Sequence, residues 1–366
     1  MGDALRVGLV GTGQISGQYL KTLPRLTNLR LTAVADLDAD RAAAVAAGLP
    51  DVRAVSPAEL YAADDVDIVL NLTIPGAHAE VAHAAIVAGK HVYGEKPLAA
   101  DTSQARAVLD AAASAGVGVG AAPDTVLGTG VQTARAVLDA GQIGRPVAAT
   151  AFMTTPGHER WHPAPEFYYR PGGGPLLDMG PYYLTALVTL LGPVRRVTGM
   201  TATPTATRTI GSGPRAGTSF DVEVASHVTG VLEHAGGVLS TVLMSFDVWA
   251  AQLPRIEVYG TEGSLSVPDP NGFHGPVRVF RAGGDDWAEV PECGGYRDAA
   301  RGYGLADFAR AISTGTAPRA GGDLAYHVLD VMESLLNAAE TGATVTLASD
   351  CARPTPVAPG SRPEEN

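Results

Sequence analysis

Three short stretches carry residue types that could do redox chemistry or hold the group that does it. The first is VGLVGTGQISG, residues 7 to 17, in which Gly11, Gly13 and Ser16 have G-x-G-x-x-S spacing after a strand-like run and before a helix-like one. Gly11 allows a tight turn, Gly13 lets a pyrophosphate approach the backbone, and the small Ser16 allows helix to pack on strand. Thr12, Gln14 and Ile15 complete the turn, whose free N–H groups would bind the anion. Asp36 ends the next strand-like run, where a carboxylate accepts hydrogen bonds from ribose hydroxyls and repels a 2′-phosphate. The pattern implies a dinucleotide, NAD in preference to NADP. Arg41 could swing toward a 2′-phosphate and keeps NADP open.

The second stretch is GKHVYGEKPL, residues 89 to 98, which places Glu95, Lys96 and Pro97 at the carboxyl end of a strand-like run. Open α/β sheets bind their ligands at that end. The third is GGGPLLDMGPYYLTAL, residues 172 to 187. On a helix, Asp178 and Tyr182 share a face with Thr185, while Leu184, Leu187, Val188 and Leu191 form a separate apolar stripe. Glycines 172 to 174 would bring backbone close to a ligand, and Pro175 suits a first helical position. Pro181 removes one helical hydrogen bond and predicts a kink beside Tyr182 and Tyr183.

These residues need a frame. From residue 5 to about 122, apolar runs alternate with Ala-rich helical ones, which is the grammar of a βαβ sheet covered on both faces. Strands are predicted at 5–10, 29–36, 67–73, 90–95 and 117–121. Beyond residue 124 strand-like runs follow one another, and two helical segments come late. The fold class expected is α/β: a Rossmann-type doubly wound parallel sheet over residues 1–123, then an α+β domain over 124–349 with a large, mainly antiparallel open sheet. Residues 350–366, rich in proline and polar side chains, read as a flexible tail.

Composition narrows the function classes. The chain has 366 residues, 46% of them hydrophobic, and a formal net charge of −12. That charge disfavours a nucleic-acid partner. Two cysteines, Cys293 and Cys351, make no disulfide framework and suit a reducing cytoplasm. No run approaches the roughly 20 apolar residues of a membrane-spanning helix, and no export signal is visible.

Together, G-x-G-x-x-S, the AGKHV-x-x-EKPL block, GGG-x-L-x-D-x-G and the later IEVYGTEGSL resemble the Gfo/Idh/MocA family of nicotinamide-dependent oxidoreductases over residues 5 to 348. The resemblance implies hydride transfer between NAD(P) and a secondary hydroxyl or carbonyl of a sugar, glycoside, cyclitol or similar polyol. It implies that Lys96 lies beside nicotinamide and substrate, that the Lys96–Pro97 bond is cis, and that Glu95 shapes the cofactor pocket. It places Thr73, Pro75 and His78 of TIPGAH near the cofactor; for His78, a helix-start histidine without chemistry is an equal reading. The family usually ends its third motif in Asp-x-Gly-x-His. Here Tyr182 stands at the histidine position.

A base must take the hydroxyl proton as hydride leaves. Free Tyr, with a pKa of about 10, is a poor base near neutrality, but a Lys96 ammonium close by would favour its phenolate. Either Lys96 or Tyr182 could carry the proton; the reading preferred is Tyr182 assisted by Lys96, with Asp178 orienting substrate or lysine. Upstream, His158, Trp161, His162, Tyr168 and Tyr169 offer aromatic planes and polar tips that suit a sugar, with Tyr183 a packing or substrate-lining residue. A metal on His158 and His162 is disfavoured, because no acid or thiol lies at fitting spacing. The alternatives are an NAD-dependent glycosidase working by transient oxidation and a noncatalytic cofactor sensor. A homodimer or homotetramer through the uncovered face of the second sheet is expected.

Overall fold

The computed structural model describes residues 4–364, and the chain divides into two compact units. The first takes residues up to 128 with 295–326 and those from 354 on; the second takes Thr129–Gly294 and His327–Arg353.

The first unit is built on strands β1 (Leu5–Val10), β2 (Leu29–Ala35), β3 (Arg53–Val55), β4 (Ile68–Asn71), β5 (His91–Gly94) and β6 (Val119–Ala121). They pair in parallel in the order β3-β2-β1-β4-β5-β6. Strand order reverses between β1 and β4, so the loops that follow these two strands flank the crevice where such sheets bind ligands. Val7, Leu9, Ile68, Val69 and Leu70 are fully buried, as an apolar strand covered on both faces should be. The crossovers carry α1 (Ser16–Thr22), α2 (Ala39–Ala46), α3 (Pro57–Ala62), α4 (His78–Val87) and α5 (Thr102–Ala115). Asp101 caps α5 by accepting from the Gln104 amide at 2.8 Å, and Gly116 ends it with φ +67°. The strand expectations lacked β3, three residues at the sheet edge with no buried position.

The second unit holds α6 (Thr129–Asp139), β7 (Pro146–Thr154), α7 (Pro175–Leu191), β8 (Val194–Ala202), a small ribbon of β9 (Thr207–Thr209) and β10 (Ser219–Asp221), then β11 (His227–His234), β12 (Leu239–Ser245), β13 (Ile256–Gly260), β14 (Gly263–Val267), β15 (Val277–Arg281), β16 (Ala288–Val290) and, late in the chain, β17 (Val345–Thr346). Nine strands run in the order β16-β15-β14-β13-β7-β12-β11-β8-β17. Every pairing but the parallel one of β7 with β12 is antiparallel. One face buries Ala149, Ala151, Val242, Met244, Val228 and Leu232. On the other, Met200, Val231 and Leu239 are exposed.

The boundary at 123–124 and the unbroken second domain differ from what the chain does. Residues 295–326 return to the first unit through α8 (Tyr303–Thr314). The cause is packing: Phe308 lies so close to Gly118 and Gly120 that a Cβ at Gly120 would stand 2.9 Å from its ring. The last helix, α9 (Gly322–Thr341), enters the second unit at His327, where Leu335 fills the space left by the facing Gly199 and Gly230.

The end of the chain also departs from the loose tail expected. Arg353 donates to the Thr189 and Leu190 carbonyls at 2.9 and 2.6 Å, capping the end of α7, and to Asp139 at 2.8 Å. Val357 is buried and its carbonyl accepts from the Gly295 amide at 3.1 Å. A polar, aperiodic composition gives no hint of these two anchors.

Candidate active site

In the first unit, Gly11 (φ +97°) makes the turn after β1; a Cβ there would stand 2.7 Å from the Leu72 backbone, so no other residue fits without displacing β4's exit. At Gly13 a Cβ would meet only Arg41, at 3.9 Å, which leaves its backbone open to a pyrophosphate. Ser16 Oγ closes the turn on the Gly13 carbonyl at 2.7 Å. The carboxylate of Asp36 accepts from both the amide and the hydroxyl of Thr12 at 2.7 Å and from the Asp38 amide at 3.0 Å. Burial pushes the Asp36 carboxyl up, but these hydrogen bonds and the Arg41 charge outweigh it and hold it below the usual carboxylate range. Arg41 Nη2 in turn donates to the Thr12 carbonyl at 3.3 Å. An open glycine backbone beside a fixed carboxylate fits a dinucleotide with a free ribose 2′-hydroxyl.

The loop after β4 is organised by Asn71, whose Oδ1 accepts from the Thr73 hydroxyl at 2.6 Å and whose Nδ2 donates to the His78 carbonyl at 3.0 Å. Pro75 opens a 3-10 turn that leads into α4. The buried His78 ring sits between two carbonyls, Thr73 at 3.0 Å from Nε2 and Pro97 at 2.6 Å from Nδ1. It therefore joins this loop to the Lys96–Pro97 segment. The Lys96–Pro97 bond is cis. Glu95 is buried, with Oε1 accepting from the Tyr19 hydroxyl at 2.8 Å and Oε2 from the Lys96 amide at 3.2 Å. Beneath lies Asp124, fully buried, which accepts from the Gly302 and Gly304 amides and from Arg301; burial raises its carboxyl. Asn71, Tyr19 and Asp124 went unnoticed in the sequence. Only Asn71 leaves a trace there, as a polar residue inside the apolar run DIVLNLT.

In the second unit, Gly174 (φ +94°) precedes α7, Pro175 takes its first position, and Asp178 lies in its first turn. The helix runs on through Pro181 to Leu191, so Asp178 and the buried Tyr182 stay one turn apart on one face. Asp178 Oδ2 accepts from His158 Nε2 at 3.1 Å. The His158 ring is enclosed by Phe246, Tyr168 and Trp161, with ring centroids at 4.4, 4.5 and 5.3 Å. His162 stands against Trp161 and Tyr168. Two further tyrosines are held in the core. Tyr169 is fully buried, its hydroxyl accepting from the His158 amide at 3.2 Å and donating to Glu159; burial and Glu159 push its phenol up. Tyr183 is likewise buried, its hydroxyl 3.4 Å from Asp269, and burial raises it too. Aromatic area seeks the core when a partner for the hydroxyl is available there.

Among the described residues no group of three or more His, Cys, Asp or Glu side chains is placed to hold a metal ion, and no helix is long and apolar enough to cross a membrane.

Residues 5–122 match the family model described as an oxidoreductase family with an NAD-binding Rossmann fold, and residues 131–266 match the GFO/IDH/MocA C-terminal domain. The D-xylose 1-dehydrogenase (NADP(+)) 2 of Haloferax volcanii is 30% identical over 345 residues, which cover 93% of this chain and 99% of that protein. The chain belongs to the Gfo/Idh/MocA family. The 1,5-anhydro-D-fructose reductase of Ensifer adhaerens is also 30% identical, over 92% of this chain and 97% of its own. In fold, the chain matches the crystal structure of an NAD binding oxidoreductase from Klebsiella pneumoniae with a TM-score of 0.82, over 95% of this chain and all of that one, at 24% identity. As a Gfo/Idh/MocA member the protein is an NAD(P)-dependent dehydrogenase or reductase, and its first unit carries the nucleotide-binding fold.

Proposed function

We propose that this enzyme oxidises a secondary hydroxyl, or reduces the matching carbonyl, on a sugar, glycoside, cyclitol or similar polyol. The observation that carries the reading is the Asp178–His158 pair set among aromatic rings, one helical turn from Tyr182. A carboxylate held by an imidazole can accept a substrate hydroxyl, and flat rings beside it suit the C–H face of a sugar. The names of the two curated relatives, a xylose dehydrogenase and an anhydrofructose reductase, support the same substrate class.

Bound nicotinamide supplies the two-electron hydride acceptor or donor. Gly11, Thr12, Gly13, Gln14 and Ile15 are assigned to the pyrophosphate and Asp36 to the ribose. Thr73, Pro75, Glu95 and Pro97 shape the nicotinamide end, with His78 holding Thr73 to Pro97. Tyr182 takes the hydroxyl proton in oxidation and returns it in reduction, assisted by Lys96. Asp178 orients the substrate, with His158 fixing Asp178, while Trp161, His162 and Tyr168 line the sugar side. The uncovered face of the nine-stranded sheet, bearing Met200, Val231 and Leu239, is assigned to a homodimer or homotetramer.

A panel of sugars, glycosides and inositols with NAD and NADP, followed at the absorbance of the reduced cofactor and by NMR of the product, tests the reading. Turnover of a ring alcohol with stoichiometric reduced cofactor is the expected result. Aglycone release without reduced cofactor, or no turnover across the panel, would overturn it.

A further inference from the structure

A cavity of about 250 Å³ opens in the second unit, lined by Trp249, Arg160, Asp247, Phe246, Arg208 and Thr207. Phe246, part of its lining, also stands 4.4 Å from the His158 ring, whose Nε2 holds Asp178. From its chemistry we infer that this is a second carbohydrate site, taking one neutral sugar ring.

Charge excludes the other ligand classes. Arg208, only 7% exposed, donates to Glu159 at 2.8 Å and to Asp247, and Arg160 stands at the rim. Two guanidinium groups face two carboxylates, so a phosphate would meet Asp247 and an ammonium would meet Arg208. A hydroxyl suits both signs. Arg208 is taken up by Glu159 and Asp247, so neither sign is left in surplus; what such a lining offers a ligand is hydrogen bonding from donors and acceptors together, which an alcohol, both donor and acceptor, can answer.

The wall supplies the apolar half of the recognition. The Trp249 indole is 75% exposed and is steadied by the Arg160 guanidinium, 4.5 Å from its ring centre. An exposed, steadied indole offers a plane for sugar C–H bonds, and Thr207 adds a further hydroxyl partner. The volume lies below that of pockets for drug-sized ligands, which suits a single ring. The choice of a sugar as ligand rests in part on the function proposed above; the donor–acceptor argument does not.

The test is binding without cofactor. Methyl β-D-glucopyranoside and maltose are titrated into the full-length protein and read by saturation-transfer NMR and intrinsic fluorescence, for wild type, Trp249→Ala and Asp247→Asn. Wild type should bind at least one probe saturably, and Trp249→Ala, a surface change compatible with folding, should weaken it by about tenfold or more, as loss of an aromatic anchor does. Asp247→Asn, which replaces the acceptor by an amide, should weaken it as well. Equal binding by wild type and Trp249→Ala, no binding by wild type at millimolar probe, or a change of oligomeric state in Trp249→Ala without a change in probe binding would overturn the site. Turnover in the substrate panel is read separately: a panel without turnover defeats the oxidoreductase substrate reading, yet leaves the Trp249-dependent binding standing.

Discussion

His158 Nε2 stands 3.1 Å from Asp178 Oδ2, although 20 residues separate them in the chain. The imidazole is enclosed by three rings and so has one orientation to offer the carboxylate. Replacing His158 by Ala should leave Asp178 without that guide and lower kcat by about tenfold or more, with a smaller change in KM, because a misdirected carboxylate hurts the transition state more than the ground state. His158→Gln, which keeps a donor, should recover part of the loss. Steady-state kinetics on the best panel substrate checks both; equal kcat in His158→Ala and wild type would remove His158 from the site.

Lys96 and Tyr182 are assigned to the proton. Lys96→Ala and Tyr182→Phe should each cut turnover by about 100-fold, the lower end of what a positioned acid or base contributes. Cofactor affinity, measured by fluorescence titration of the reduced dinucleotide, should change far less. Normal turnover in both variants would defeat the assignment.

Thr12 is the meeting point of Asp36 and Arg41: its amide and hydroxyl donate to the acid and its carbonyl accepts from the guanidinium. Asp36→Ala should therefore do more than remove a repulsion. It should free Arg41 to meet a 2′-phosphate and raise kcat/KM with NADP by about tenfold, within the cost of a like-charge contact. Asp36→Ala combined with Arg41→Ala should lose that gain. An unchanged cofactor preference in Asp36→Ala would mean that another residue reads the ribose.

What was legible in the sequence and what was not divides along the range of the interactions. Gly11 and Gly13 could be read because a tight turn and an open backbone are local demands that only glycine meets. The alternation of apolar runs and Ala-rich helices revealed the parallel sheet for the same reason. The Asp178–His158 pair, the return of Phe308 to the glycines of β6 and the anchoring of Val357 are contacts between distant segments, and no spacing encodes them. Tyr169 and Tyr183 could not be sorted from their spacing, because an aromatic side chain with a polar tip reads alike whether it lines a site or packs; their burial and their partners Glu159 and Asp269 are visible only in the fold.

The exposed apolar side chains of the nine-stranded sheet lie on strands whose opposite face is packed by helices, so a subunit contact would cover them at no cost in core packing. Wild-type protein at micromolar concentration should run as a dimer or tetramer by light scattering. Val231→Lys with Met200→Glu, which place charges on that face, should shift it to a smaller species while the far-ultraviolet circular dichroism stays unchanged. A monomeric wild type would end this assignment.

His234 provides a stability prediction with a defined sign. It is fully buried, with Nδ1 2.8 Å from the Gly192 carbonyl at the end of α7 and Nε2 2.8 Å from Ser240 Oγ. Burial is the main cause that depresses its pKa to about 4, and the neighbouring His327 adds to it. Between that value and the ordinary 6.5 the unfolded chain binds a proton that the folded chain refuses, so stability must fall as pH falls through this window. At about 1.4 kcal/mol per unit the full effect is about 3 kcal/mol, reached near pH 4. Above pH 7 His234 should contribute no slope. Urea unfolding of wild type and His234→Gln at pH 7.5, 6 and 5 isolates this group from the carboxylates that titrate alongside it. The variant should lose less stability than wild type between pH 6 and 5, and parallel losses would show that the imidazole is charged in the native fold.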